Sequence, residues 1–250
     1  MIKKKIKQII KQLVNLFGYD IIYKIPKDFE DECVEIIKSV IPYTMTSYEK
    51  IYVLIKAVNY VINNNIPGDI VECGVWKGGS MMAIAKTLIN QNNSEKHLYL
   101  FDTFEGMPKP SKIDVKINGT KASKLFQMKR MNDNSSDWCY SSLEDVKKNM
   151  YSTKYDKEKI HFIKGKVEET IPNNAPKAIS LLRLDTDFYE STIHELKYLF
   201  PILSKGGIII LDDYGEWLGQ RRAVDEYIEE NKLCIFLNRV DYSARIGVKL

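Results

Sequence analysis

The spacing of apolar residues divides the chain into an N-terminal helical part and a longer part in which strands and helices alternate. In the first part, apolar residues recur every three or four positions, which predicts amphipathic helices over residues 2–17, 29–39 and 48–63. From residue 69 onward, short apolar runs alternate with helical patterns. This alternation predicts an α/β fold with a mainly parallel sheet that is covered by helices on both faces.

Seven apolar runs have the length and composition of strands. They lie within the sequences GDIVECG, HLYLFD, HFIKG, ISLLRLD, GGIIILDD, LCIFLNRV and ARIGVKL. Only about three residues separate the last two runs, which predicts an antiparallel hairpin at the edge of the sheet.

A polar, lysine-rich segment interrupts this alternation at residues 108–149, which we call the insertion. It follows the second predicted strand and therefore lies above the carboxyl edge of the sheet. Long insertions in compact α/β domains either carry function or are disordered. A lid or acceptor-binding loop and a surface loop without a role are both open interpretations.

Composition and charge exclude several classes of protein. With 44% hydrophobic and 28% charged residues, the composition is that of a globular protein. Residues 1–20 carry the whole net charge of +4, which is too small for a dedicated nucleic-acid binder. Four scattered cysteines without a CxxC pair indicate free thiols in a cytoplasmic protein. The basic helix at 2–17 packs on its own domain or a second subunit, or it lies on an anionic membrane surface at the inner membrane face.

A glycine-rich turn after the first strand predicts a cofactor site. The sequence Glu72-Cys73-Gly74-Val75-Trp76-Lys77-Gly78-Gly79-Ser80 leads into a helix, so the chain can approach a ligand closely and offers it free N–H groups. Glu72 would repel a triphosphate but attract an amine or a sulfonium. An acid at the end of the next strand, Asp102, is typical of ribose recognition. NAD and S-adenosylmethionine both fit this pattern.

Four further acids follow two later strands. Asp185 and Asp187 end the fourth predicted strand, and Asp212 and Asp213 end the fifth. Carboxylates crowded at one sheet edge repel each other unless a cation or protons neutralise them. Oxygen ligands alone suit a hard divalent ion, so these residues predict a Mg²⁺ site.

The motifs together resemble one family. The sequences IPGDIVECGVWKGGS, LYLFDTFEGMP, LLRLDTDFYEST and GGIIILDDYGEWLGQRRAVDE are similar to those of the macrocin O-methyltransferase (TylF-type) family, over about residues 43–227. The resemblance implies a Rossmann-like class I methyltransferase fold, S-adenosylmethionine and Mg²⁺. We expect an N-terminal helical extension with a cofactor-closing segment over residues 1–45 and a methyltransferase domain over 46–250, with a lid insertion at about 108–149.

The resemblance also implies roles for individual residues. Cofactor contacts are expected from Thr44, Met45, Glu72, Gly74, Ser80, Asp102, Gly165, Val167, Glu168 and Asp185. Metal ligands are expected from Asp185, Asp212 and Asp213. Asp185 and Asp187 are the expected catalytic residues, with Asp187 as base. Some family members place a histidine base in the insertion, which here contains none. In the alternative to Asp187 as base, the metal lowers the pKa of the acceptor hydroxyl and no strong protein base is needed.

These features predict a Mg²⁺-dependent enzyme that methylates a hydroxyl of a sugar, a nucleotide sugar or a sugar-containing metabolite. A metal-dependent glycosyltransferase that uses the DxD at 185–187 and a methyltransferase for a non-sugar acceptor are the alternatives. We expect a homo-oligomer. Five aromatic residues form either a stacking wall for the acceptor or ordinary core: Trp138, Tyr140, Tyr189, Tyr214 and Trp217. Lysines of the insertion either contact an anionic acceptor or face solvent: Lys112, Lys116, Lys121 and Lys124.

Overall fold

The computed structural model describes residues 25–93, 95–132 and 136–250, and the predicted basic helix at 2–17 lies outside them. The next two predicted helices are present, as α1 (Asp31–Val40) and α2 (Tyr48–Asn63). Ser47 begins α2, because its side-chain oxygen accepts a hydrogen bond from the backbone N–H of Lys50. None of the described helices is long and apolar enough to cross a bilayer.

In the described part of the chain, seven strands form one sheet in the order β3-β2-β1-β4-β5-β7-β6. They are β1 (Asp69–Cys73), β2 (Leu98–Asp102), β3 (Ile160–Lys164), β4 (Ile179–Leu184), β5 (Leu203–Leu211), β6 (Asn238–Arg239) and β7 (Arg245–Val248). The first five strands are parallel, and β7 is antiparallel to both of its neighbours. This is the predicted α/β sheet with its antiparallel C-terminal hairpin.

The remaining helices cover both faces of the sheet. They are α3 (Gly79–Asn90), α4 (Ala122–Met128), α5 (Leu143–Ser152), α6 (Val167–Thr170), α7 (Tyr189–Leu199) and α8 (Leu218–Glu230). Alternate strand residues pack into opposite layers. Ile70 lies in the core beneath α1, α2 and α3, whereas Val71 lies in the core beneath α7 and α8. The period-two pattern of a strand that is buried on both faces produces this division.

The sixth predicted strand is much shorter than the run LCIFLNRV suggests. Only Asn238 and Arg239 pair with β7. The preceding residues lie over β7, where Ile235 and Leu237 pack against the backbone of Gly247. The apolar run therefore stacks on the sheet instead of extending it.

The insertion is more regular than its sequence pattern indicates, because it contains α4 and the start of α5. Its buried anchor is Asp114, whose carboxylate accepts hydrogen bonds from the backbone N–H groups of Ser111 and Tyr189. The backbone N–H of Leu218 donates to Val115 O. The insertion is thus attached to the first turns of α7 and α8, at the carboxyl edge of the sheet.

Candidate active site

A cavity of about 740 Å³ opens at the carboxyl ends of the parallel strands. All thirteen residues that the sequence singles out for cofactor, metal or catalysis line it: Thr44, Met45, Glu72, Gly74, Ser80, Asp102, Gly165, Val167, Glu168, Asp185, Asp187, Asp212 and Asp213. The structure therefore brings the predicted site together in one place. The role of each residue stays a prediction.

The segment before α2 lies close against the glycine-rich turn. A side chain at Gly79 would place a Cβ 2.5 Å from the carbonyl oxygen of Tyr43. Only glycine permits this approach, which brings Thr44 and Met45 to the cavity wall beside Ser80. The predicted cofactor-closing segment thus borders the cavity.

The carboxylate of Asp102 organises the glycine-rich turn. It accepts hydrogen bonds from the backbone N–H groups of Val75 at 2.7 Å, Trp76 at 3.1 Å and Phe104 at 2.7 Å. Burial raises the pKa of Asp102 in spite of these donors. The described contacts of Asp102 are made to these backbone groups and to the hydroxyl of Thr103, and the predicted ribose contact would add to them.

Arg183 was not among the predicted site residues. It connects the end of β1, which carries Glu72, with the acids that follow β4 and β5. This side chain, 2% exposed, stands in β4, whose other residues are apolar except for Ser180. Its guanidinium forms ion pairs with Glu72, with Asp185 at 2.8 Å and with Asp212 at 2.6 Å, and it donates to the hydroxyl of Thr46 at 3.2 Å. The signal was present in the sequence, because an arginine inside a buried strand requires buried acidic partners.

Asp212 has two cationic partners. Besides Arg183, the Lys50 ammonium lies 2.7 Å from its carboxylate and donates to its backbone carbonyl oxygen at 3.1 Å. Burial alone would raise the pKa of Asp212, but Arg183 and Lys50 hold it below its ordinary value. This carboxylate is therefore ionised and already neutralised by side chains from β4 and α2.

The other three acids form a separate cluster. Carboxylate oxygens of Asp185, Asp187 and Asp213 all lie within 4.8 Å of one another, close enough to share one ion. Asp213 Oδ2 is buried and has no hydrogen-bond partner in the described structure. Burial and neighbouring carboxylates raise the pKa of Asp213 well above its usual range and that of Asp187 to about 7. An arrangement of this kind suits a hard cation.

This cluster differs from the ligand set that the sequence predicted. The cluster contains Asp187, whereas the predicted ligand Asp212 pairs with Arg183 and Lys50, and its role at a metal stays a prediction. Asp187 reaches the cavity from a tight backbone turn. Its φ is 66°, and the backbone N–H of Phe188 donates to the carbonyl oxygen of Thr186 at 2.7 Å. A non-glycine residue in this conformation is typical of functional sites.

The aromatic and lysine candidates divide into residues at the cavity and residues away from it. Trp138 and Trp217 line the cavity, with ring centroids 5.8 Å apart. The hydroxyls of Tyr189 and Tyr214 instead donate to acids of α8, and Tyr140 is exposed outside the cavity. Of the four lysines, only Lys116 lines the cavity, where it pairs with Glu216.

Comparison with known proteins identifies the family of this chain. The profile of the macrocin O-methyltransferase (TylF) family matches residues 5–246. The chain belongs to this family. It is an S-adenosylmethionine-dependent O-methyltransferase, EC 2.1.1. The family match does not favour the glycosyltransferase alternative. The family match starts at residue 5, far before residue 43. It therefore includes most of the N-terminal segment, which the quoted motifs had left outside the resemblance.

Individual relatives agree with this assignment. The chain is 32% identical to demethyldecarbamoylnovobiocin O-methyltransferase of Streptomyces niveus, over 74% of this chain and 67% of the relative. It is 26% identical to mycinamicin III 3''-O-methyltransferase of Micromonospora griseorubida, over 80% and 76%. Among solved structures, the O-methyltransferase NovP has a TM-score of 0.72 and 28% identity, with 83% of this chain and 82% of that chain covered. The class I methyltransferase fold is thereby confirmed.

Proposed function

We propose that this methyltransferase acts on a sugar hydroxyl and depends on a divalent cation, with Mg²⁺ as the physiological ion. The observation that carries the proposal is the three-carboxylate cluster beside two tryptophans, with an unpartnered oxygen on Asp213. The names of the relatives support the acceptor class, since one is a rhamnosyl-tetracenomycin 4'-O-methyltransferase of Streptomyces olivaceus, 30% identical over 70% of this chain and 63% of that protein.

The residues present fit a hard cation. Asp185, Asp187 and Asp213 would hold it, because their oxygens converge and their mutual repulsion needs a positive charge. When bound, such an ion acts as a Lewis acid that stabilises the alkoxide which develops on the acceptor. Asp212, neutralised by Arg183 and Lys50, would stand next to this site and keep those two cations in place.

The opposite half of the cavity would bind S-adenosylmethionine. We assign Thr44 and Met45 to its cover, Glu72 and the glycine-rich turn to its methionine part, and residues 165–168 to its adenine. Burial raises the pKa of Glu72 to about 7 although Arg183 is its ion-pair partner. The second oxygen of Glu72 is buried without a hydrogen bond, so it is free to accept one from the cofactor.

The proton of the acceptor hydroxyl would pass to Asp187. Asp187 lines the cavity together with Lys116 and Cys139 of the insertion. Trp138, half-buried on the same side of the cavity, offers a flat apolar surface that suits the apolar face of a sugar ring, and Trp217, 3% exposed, packs against it. Alignment of the acceptor oxygen with the sulfonium methyl supplies the rest of the acceleration.

Methyl transfer to a panel of sugars, nucleotide sugars and sugar-bearing natural products tests the proposal. Products would be detected by mass spectrometry, with EDTA-treated enzyme and with Mg²⁺ restored. We expect a mass gain of one methylene on at least one sugar acceptor, abolished by EDTA and recovered with Mg²⁺. Equal turnover in EDTA would overturn the metal dependence. Methylation confined to phenolic or other non-sugar acceptors would overturn the acceptor class.

A further inference from the structure

A fully buried acid lies behind the loop that carries Asp185 and Asp187. Glu195, in α7, has no exposed surface and does not line the cavity. The hydroxyl of Thr186 lies 3.0 Å from one oxygen of Glu195 and 3.2 Å from the other. Because Thr186 stands between the two aspartates, Glu195 touches the loop at its centre and from the side opposite the cavity.

The same carboxyl group also contacts the strand that begins the cofactor half. The thiol of Cys73, the last residue of β1, lies close to the carboxyl group of Glu195. Next to it, the backbone N–H of Asp185 donates to Cys73 O at 2.9 Å. Glu195 therefore connects the end of β1 with the loop after β4, directly beneath the boundary between the two halves of the cavity.

The loop needs such support. Asp187 holds a φ of 66°, which a residue with a side chain adopts only when its surroundings impose it. Without a hydrogen bond at Thr186, the loop could relax and move both aspartates relative to Asp213. Among the described residues, Glu195 has hydrogen bonds but no salt bridge, and burial raises its pKa well above the usual range. A neutral carboxyl group is thus held where a leucine would fill the space at lower cost.

We propose that Glu195 is a positioning residue, which fixes the Asp185–Asp187 loop for methyl transfer through its hydrogen bond to Thr186. This inference rests on the proposed function, in which that loop carries the acceptor chemistry. Glu195 does not line the cavity, so its contact with the loop that carries Asp185 and Asp187 is the hydrogen bond from Thr186.

Four variants test the proposal: Glu195→Leu, Glu195→Gln, Thr186→Val and the double variant Glu195→Leu/Thr186→Val. We expect Glu195→Leu and Thr186→Val each to lower kcat about 10- to 100-fold, the cost of misplacing reacting groups by a fraction of an ångström to an ångström. The double variant should be no slower than the slower single variant, because both changes remove the same contact. Glu195→Gln should stay within about threefold of wild type, since a neutral amide of the same shape still accepts from Thr186.

A readout that does not require turnover accompanies the kinetics. Hydrogen exchange of the peptide that spans residues 184–190 should be faster in Glu195→Leu and Thr186→Val, and unchanged in Glu195→Gln. Thr87→Val is the control, because Thr87 is a buried threonine whose hydroxyl donates to Ala83 O within α3, away from the cavity. It should change neither kcat nor exchange of that peptide.

The two readouts separate the proposal from the proposed function. Should wild type methylate no sugar, the proposed function fails, and the exchange data still decide the role of Glu195. Wild-type exchange in Thr186→Val would overturn the positioning role even if Glu195→Leu failed to fold. Additive rate losses in the double variant would overturn it as well.

Discussion

The cavity has two proposed halves, a cofactor half around Glu72 and Asp102 and a metal half around the three clustered carboxylates. Both are built from acids at strand ends, yet they differ in what neutralises those acids. In the cofactor half, Asp102 accepts hydrogen bonds from backbone N–H groups, and Glu72 pairs with Arg183. In the metal half, two cations converge on Asp212, while Asp187 and Asp213 have no cationic side chain within ion-pair distance among the described residues. The acids of the cofactor half each have a hydrogen-bonding or ion-pair partner in the protein, whereas Asp187 and Asp213 crowd together and need protons or a cation to offset their repulsion.

The largest expected effect comes from the metal half. Asp213→Asn removes one of the three clustered carboxylates, so methyl transfer should fall about 10²- to 10³-fold, the cost of losing one electrostatic stabiliser of a developing charge. Affinity for S-adenosylmethionine, measured by calorimetry, should stay within about threefold. Asp225→Asn on α8, which changes an exposed acid outside the cavity, is the control and should turn over like wild type. Loss of cofactor binding in Asp213→Asn would show that the two halves are not separable.

The second prediction concerns the ion pair between Lys50 and Asp212. Lys50→Met leaves the buried Asp212 with Arg183 as its only cation, and breaking a buried pair destabilises a protein by about 3 kcal/mol. The free energy of unfolding, measured in urea, should fall accordingly. Lys50→Arg keeps the charge and should recover at least half of the loss. An unchanged free energy in Lys50→Met would mean that Arg183 alone compensates Asp212.

The third prediction is a pH dependence. Folding raises the pKa of Asp187 to about 7, so the folded chain holds a proton that the unfolded chain has released, and the corresponding stability is lost as pH rises from about 4 through 7. Asp187→Asn cannot titrate. Without added metal, its free energy of unfolding should therefore rise relative to wild type between pH 5 and pH 8. The gain is on the order of 2 kcal/mol, since the carboxylate is partly open to solvent.

Denaturation curves at four pH values measure this difference. Saturating Mg²⁺ should reduce it, because the cation neutralises the ionised wild-type cluster. A difference that is constant with pH would contradict the raised pKa of Asp187.

The smallest effect is expected in the cofactor half. Asp102→Asn keeps the shape of the side chain but removes the charge that three backbone N–H groups face, so affinity for S-adenosylmethionine should fall about tenfold. The Mg²⁺ concentration that gives half-maximal turnover should not change. A shift of that midpoint by more than about threefold would show that cofactor binding and Mg²⁺ binding are coupled more strongly than the structure indicates.

The comparison also explains how much the sequence could predict. The cofactor half is local: a strand, a glycine turn and an acid on the adjacent strand are each visible as patterns, and parallel topology alone brings them together. The carboxylates of the metal half were predicted at the correct sheet edge for the same reason. The pairing of Asp212 with Arg183 and Lys50 was not predicted. Nor was the lack of a cationic partner for Asp187 and Asp213 among the described residues.

The pairing of Asp212 depends on contacts over long sequence distances. Lys50 and Asp212 are 162 residues apart, and no pattern in α2 marks this lysine among the others of an amphipathic helix. The order of the insertion was missed for a similar reason, since its buried anchor Asp114 is stabilised by Ser111 and by the N-terminus of α7. Apolar periodicity reports burial of hydrophobic faces and is silent about buried polar contacts.

Manganese binding to Asp187→Asn and Asp212→Asn tests most directly the central claim, that charge compensation sets where the cation binds. Free Mn²⁺ would be measured by electron paramagnetic resonance at pH 7.5, with wild type and Asp225→Asn as references. The account predicts that Asp187→Asn weakens Mn²⁺ binding at least tenfold and that Asp212→Asn changes it by less than about threefold. Strong loss of Mn²⁺ in Asp212→Asn, with near wild-type binding in Asp187→Asn, would contradict it.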